Sequence, residues 1–139
     1  MSRDDGSATL ELAILAPGLI ALLSLVIVAG RIEAAAGAVE QAAAAAARAA
    51  SLSRSPRTAA VRADSAARQS LADQGVTCQP LTSAVDVSGF RISVGQAASV
   101  RAQVSCTVPL ADLAVPGMPG SRTISVEMTS PLDRYRGRQ

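Results

Sequence analysis

The rhythm of hydrophobic and polar positions changes three times along this chain. Residues 12–29 form an apolar run without a charge, in which Ser24 is the single polar side chain. As a helix rising about 1.5 Å per residue, the run reaches about 27 Å, close to the roughly 30 Å hydrocarbon thickness of a bilayer. An amphipathic core helix would show a polar residue every three or four positions, so this run predicts a transmembrane helix. From Arg31 to Leu52 alanine dominates, with Glu33, Glu40 and Arg48 spaced along it, and the helix is expected to continue outward as a stalk. Pro56 closes that stretch after the serines at 51, 53 and 55. A second helix is predicted over residues 57–73, with Ala60, Val61, Ala67 and Leu71 as a thin apolar face and Gly75 as its C-terminal cap. Beyond Gly75 the period becomes two. Residues 100–108 alternate apolar and polar, and Ile124, Val126 and Met128 alternate with Ser125, Glu127 and Thr129, which predicts two half-buried strands. Weaker strand candidates lie at residues 76–80 and 90–94, and the prolines and glycines of residues 109–121 make a long turn. The fold class expected is α+β and membrane-anchored: a long N-terminal transmembrane helix, an Ala-rich stalk, a short second helix and a small antiparallel β-sheet at the C-terminus, packed on one helix.

Within the stalk, small residues recur at every fourth position, through Gly30, Ala34, Ala38, Ala42, Ala46 and Ala50. They line a slowly drifting stripe along which another helix can approach closely, and a like subunit is the partner expected there. The alternative is alanine-rich sequence of high helix propensity with no partner.

Composition narrows the chemistry. The chain has no His and two Cys, which leaves no imidazole base for a nucleophile triad and no four-ligand zinc site. Phe90 and Tyr135 are the only aromatic residues and the net charge is +2, so neither base-stacking platforms nor a basic footprint for nucleic acid is present. No enzyme, cofactor or nucleic-acid partner is expected. A membrane-bound enzyme survives only if carboxylates such as Asp112 and Asp133 meet as an acid–base pair. The arginines from Arg54 to Arg68 read as a solvated helix face. The two cysteines, Cys78 and Cys106, admit two readings. A disulfide between them would restrict the unfolded chain by roughly 3–4 kcal/mol and would need an oxidising compartment, placing the β module outside the cytoplasm. Alternatively they are two reduced thiols packed as small hydrophobes. A small β module without large aromatics favours the staple.

The approach to the apolar run carries one more signal. A short charged leader ends at Gly6; Ser7 and Ala8 follow, Glu11 is the fifth residue after the glycine, and Pro17 lies inside the run. In this the chain resembles the TadE-like family, small pilin-like proteins of tight-adherence pili. Arg31 after the span and the closing Pro131-Leu132-Asp133-Arg134-Tyr135-Arg136 are similar to that group as well. The resemblance implies cleavage by a prepilin peptidase between Gly6 and Ser7, with Glu11 then the acid at mature position five. The domains implied are a leader at residues 1–6, a transmembrane helix and stalk at 7–55, a second helix at 56–75 and an extracytoplasmic β module at 76–139. Removing the leader takes away one Arg and two Asp and raises the net side-chain charge from +2 to +3. The new ammonium of Ser7 and the carboxylate of Glu11 could then pair between neighbouring subunits, where an unpaired carboxylate is disfavoured.

The function this implies is structural: a minor pilin or pseudopilin that helps assemble a tight-adherence pilus or related secretion machine. Its partners would be the lipid bilayer, the prepilin peptidase, an assembly ATPase with its membrane platform, and other pilins. It would be a single-pass protein with a cytoplasmic N-terminus. The competing reading is a signal-anchored or secreted cell-surface binding module, released if a signal peptidase cuts at small residues such as Ala34-Ala35-Ala36. The acidic character of Asp4 and Asp5 and the length of the apolar run count against a cleavable signal.

Overall fold

The computed structural model describes residues 5–113 and 117–135, with side chains from Glu11 onward. Two helices, α1 (Asp5–Ser51) and α2 (Pro56–Asp73), precede three strands, β1 (Leu81–Asp86), β2 (Ala98–Pro109) and β3 (Ser121–Leu132). The strands form an antiparallel meander in the order β1-β2-β3. At 47 residues α1 spans about 70 Å, and only its distal half takes part in a folded head.

Helix α1 enters the head at Ile32 and Ala35. From there Ala35, Ala38, Val39, Ala42, Ala43, Ala46, Ala47 and Ala50 are buried at three- and four-residue steps, which makes one broad face with almost no side-chain volume. The chain turns back through residues 52–55. There the Ser55 side chain accepts from the Thr58 amide and Pro56 occupies the first turn of α2, where its missing N–H costs nothing. Antiparallel return is marked by Gln74, whose side-chain nitrogen lies 3.5 Å from the Ala38 carbonyl oxygen. Helix α2 buries Ala59, Ala63, Ala67 and Leu71. The two alanine rows let the helix axes approach closely, so backbone dispersion contacts replace the large side chains of an ordinary core.

The buried row of α2 differs from the expected one. Ala67 and Leu71 are shared, but Ala60 and Val61 face solvent while Ala59 and Ala63 face α1. A strict four-residue step back from Leu71 selects 59 and 63. Val61, the most hydrophobic residue of the first half, misdirects a reading based on side-chain character. The end of α2 is as expected: Gly75 adopts φ 69°, the Val76 amide donates to the Leu71 carbonyl and the Gly75 amide to that of Ala72, a Schellman arrangement that satisfies two orphan carbonyls.

In the sheet, β2 is central and its alternate residues Val100, Ala102, Val104, Cys106 and Val108 are all buried. β3 covers one flank in a register that sets Val104 opposite Val126 and Cys106 opposite Ile124. Its inward row rests on α1, where the Ser130 hydroxyl donates to Ser51 Oγ at 3.0 Å. The opposite sheet face is polar: Ser105 and Ser125 share a hydrogen bond of 2.7 Å, and Thr107 and Thr123 one of 2.8 Å. The long predicted turn between β2 and β3 holds one helical turn, Leu110–Leu113, and closes with the Leu110 amide donating to the Gly120 carbonyl.

Both weak strand assignments are corrected. The first strand is Leu81–Asp86, not residues 76–80, because Leu81, Ser83 and Val85 supply the inward row against Cys106, Val104 and Ala102. Residues 76–80 run irregularly into it, although Gln79 N–H to Thr107 O and Thr107 N–H to Pro80 O extend the pairing. Residues 90–94 are not a strand: a 3-10 turn at Ser88–Arg91 lets Gly89 lie against the Ser99 carbonyl, where any Cβ would collide.

Candidate functional site

Among the described residues, the proximal half of α1 is a long stretch that no other element packs against. Side chains at positions 11–27 are exposed on every side of the helix. Ten of them are large aliphatics, from Leu12 and Ile14 through Leu22 and Leu23 to Ile27, with 54–71% of their surface open. No face of this segment is polar. Its one hydroxyl, Ser24, donates to the Ile20 carbonyl at 2.8 Å, so even that group is satisfied within the helix. Transfer of ten such side chains out of water is worth roughly 15–30 kcal/mol at about 1.5–3 kcal/mol each. The segment is long and apolar enough to cross a membrane.

Polar groups mark both ends of this segment. Glu11 is exposed just before Leu12, and Arg31 is exposed where α1 begins to pack into the head. The Gly6–Ser7 peptide bond lies in the first turns of α1. The remainder of the expected leader, residues 1–4, lies outside the described residues, as does Arg136 of the closing segment.

The small-residue stripe divides at the same boundary. Ala38, Ala42, Ala46 and Ala50 are buried inside the chain itself, at 0–3% exposure, against its own second helix and sheet. The partner expected for them, a helix of another subunit, is therefore replaced at these four positions by the return of the same chain. Gly30 and Ala34 remain uncovered; a Cβ at Gly30 would meet nothing within 4 Å.

Cys78 and Cys106 are joined in a disulfide with a Cα–Cα separation of 5.1 Å. Cys106 is fully buried on the core row of β2 and Cys78 is half-buried in the segment between α2 and β1, so the bridge ties the helical hairpin to the sheet. Asp112 and Asp133 are not brought together. Asp112 shares a cleft with Arg31 and Ala35 at the foot of the head, while Asp133 lies beside Ser51 and Leu52 at its far end. Those two levels are separated by about 30 Å along α1. Of the four arginines between 54 and 68, Arg68 pairs with Asp64 at 2.8 Å on the open face of α2, which raises its pKa further.

The cleft at the foot of the head, lined by Arg31, Gln74, Val76, Asp112 and Leu113 among others, has no counterpart in the sequence reading. Its residues come from three separate segments, and no spacing rule links them. No family model, no curated protein and no solved structure matches this chain.

Proposed function

We propose that this chain is a membrane-anchored, non-enzymatic subunit of pilin-like design, a minor pilin or pseudopilin serving the assembly of a tight-adherence pilus or a related secretion machine. The observation that carries the reading is the division of α1: one continuous helix that is bare and aliphatic through residues 12–27 and becomes the spine of a small disulfide-stapled head from Ala35 onward. In this reading the bare half sits in the bilayer with Glu11 at the cytoplasmic boundary, and the head lies in the oxidising compartment that its disulfide requires. The charged leader, Gly6, and Glu11 five residues later add the processing pattern that resembles TadE-like proteins. Extraction of the helix into a bundle of like helices would then bury the aliphatic surface a second time. The subunit partners, the peptidase and the assembly ATPase with its platform follow from that resemblance.

A cut at residues 34–36, as a secreted binding module would need, removes Ala34 and threatens Ala35, which is already in the core at 5% exposure. That counts against release of the head. The test is the N-terminus of the mature protein, read by mass spectrometry from native membranes with and without the prepilin peptidase. A peptidase-dependent start at Ser7 is expected. An intact Met1, or a start within residues 35–39, would overturn the pilin reading in favour of an anchored or a secreted module respectively.

A further inference from the structure

The cleft at the foot of the head has a volume of about 670 Å³. It sits where α1 leaves its bare segment, and its wall carries charges of both signs, Arg31 from α1 and Asp112 from the turn after β2. Neither forms an ion pair with the other or with any described residue; the ion pair found among the described residues is Arg68 with Asp64. Gln74 stands on the same wall, its amide nitrogen donating to the Ser70 carbonyl at 3.0 Å, which leaves the amide oxygen as an acceptor. Ala35, Val108 and Leu113 supply apolar floor.

Position selects the class of ligand. Arg31 is two residues, or about 3 Å, beyond the last residue of the apolar run, and the headgroup layer of a bilayer occupies roughly the first 5–8 Å outside the hydrocarbon. The face of α1 that bears Arg31 and Ala35 continues down the helix at four-residue steps to Ile27 and Leu23, both exposed and aliphatic. A ligand seated here would meet a cation and a carboxylate at the level of the headgroups and a hydrocarbon track below them.

We propose that this cleft binds the headgroup of a zwitterionic, amine-bearing phospholipid, with Arg31 on the phosphate, Asp112 and the Gln74 amide oxygen on the ammonium, and an acyl chain along Ile27 and Leu23. A guanidinium suits a phosphate because it presents planar paired donors, and a primary ammonium brings three donors to the carboxylate and amide oxygens. An anionic lipid without an amine would satisfy Arg31 and leave Asp112 facing negative charge.

The inference rests on residues 12–29 lying in a bilayer, so the two are tested separately. The full chain is reconstituted in vesicles and washed with alkaline carbonate; its release would sink both readings. With anchoring established, native mass spectrometry of the full chain in detergent measures retention of added phosphatidylethanolamine against phosphatidylglycerol of matched acyl chains. Wild type should retain the ethanolamine lipid preferentially. Arg31→Gln should lower retention of both lipids by about two- to fivefold, the scale of an exposed ion pair. Asp112→Asn should lower only the ethanolamine lipid and erase the preference. Equal retention by all three proteins, or a wild-type preference for phosphatidylglycerol, would overturn the site while leaving the anchor intact. Competition by chain-free glycerophosphoethanolamine at matched concentration would overturn the lipid assignment in favour of a soluble phosphodiester.

Discussion

Alanine at positions 59, 63 and 67 is fully buried, which makes its small volume a requirement of the helix pair and not only a propensity. Ala63→Leu adds three carbons where the neighbouring helix leaves no space and should destabilise the head by about 1–3 kcal/mol, the cost of overpacking. Ala34→Leu, on the uncovered stretch, should leave the head unchanged. Hydrogen exchange of the β2 amides in the full chain distinguishes the two, and undiminished protection in Ala63→Leu would mean that the helices are not in close contact. Asp86 shows a different residue-scale effect. The Ser88 amide donates to its Oδ1 at 2.9 Å, and this, with the Ser88 hydroxyl and then Arg101 and Arg91, holds its carboxyl below the ordinary aspartate range. A depressed folded-state pKa contributes stability that is present above the unfolded value of about 3.9 and is lost as pH falls through the folded one. Asp86→Asn should therefore be slightly less stable than wild type at about pH 6, with the difference closing towards about pH 2. A carboxyl NMR titration with an Asp86 midpoint at or above the ordinary value would contradict this.

At the scale of elements, strong local signals and weak ones fared differently. The C-terminal end of α2 was readable because Gly75 can take the left-handed conformation that closes a helix, whereas the Ser55 cap, which accepts from the Thr58 amide, and the place of Pro56 in the first turn were read only as the close of the preceding helix. Strands β2 and β3 were readable because their alternation is unbroken over several residues. Strand β1 was not, since its inward row has Ser83 between Leu81 and Val85 and earns its place only by pairing with β2. The disulfide belongs to this scale, for it crosses from the segment after α2 into β2. Its 28-residue separation corresponds to about 3–4 kcal/mol of restricted chain entropy. A head this small, with a core mostly of alanine and valine, has little else in reserve. Reduction, or the double substitution Cys78→Ala with Cys106→Ala, should shift the denaturation midpoint of the head markedly downward while the apolar half of α1 stays helical in detergent. An unchanged midpoint would remove the bridge from any stabilising role.

For the whole molecule, the decisive contrast is between a compact head and a bare rod on one continuous helix. A fragment beginning at Arg31 keeps Ile32, Ala35 and everything that packs on them, and loses all ten large aliphatics of the rod. It should sediment as a monomer without detergent, whereas the full chain should need detergent to remain dispersed. Aggregation of the fragment would point to a further apolar contact surface on the head itself. The candidate membrane segment was visible in the sequence because its signal is a sum over eighteen local positions. The cleft of Arg31, Gln74 and Asp112 was invisible because it exists only after α2 returns along α1 and β2 ends beside them.

The sequence by itself marked the break between the two helices, the C-terminal end of α2, the alternation of β2 and β3 and the stretch too apolar for water, because each of these follows from neighbours within one or two turns of chain; β1 and the start of α1 at Asp5 were not among them. It also carried the pairing of Cys78 with Cys106 as one of two open readings. What tertiary structure alone decided was the use of the alanine stripe. Ala38, Ala42, Ala46 and Ala50 are equally suited to a neighbouring subunit or to the chain's own second helix, since a row of methyl groups specifies close approach and not the partner. The short turn at residues 52–55 brings α2 back at high effective concentration, and that proximity assigns those four positions to the interior.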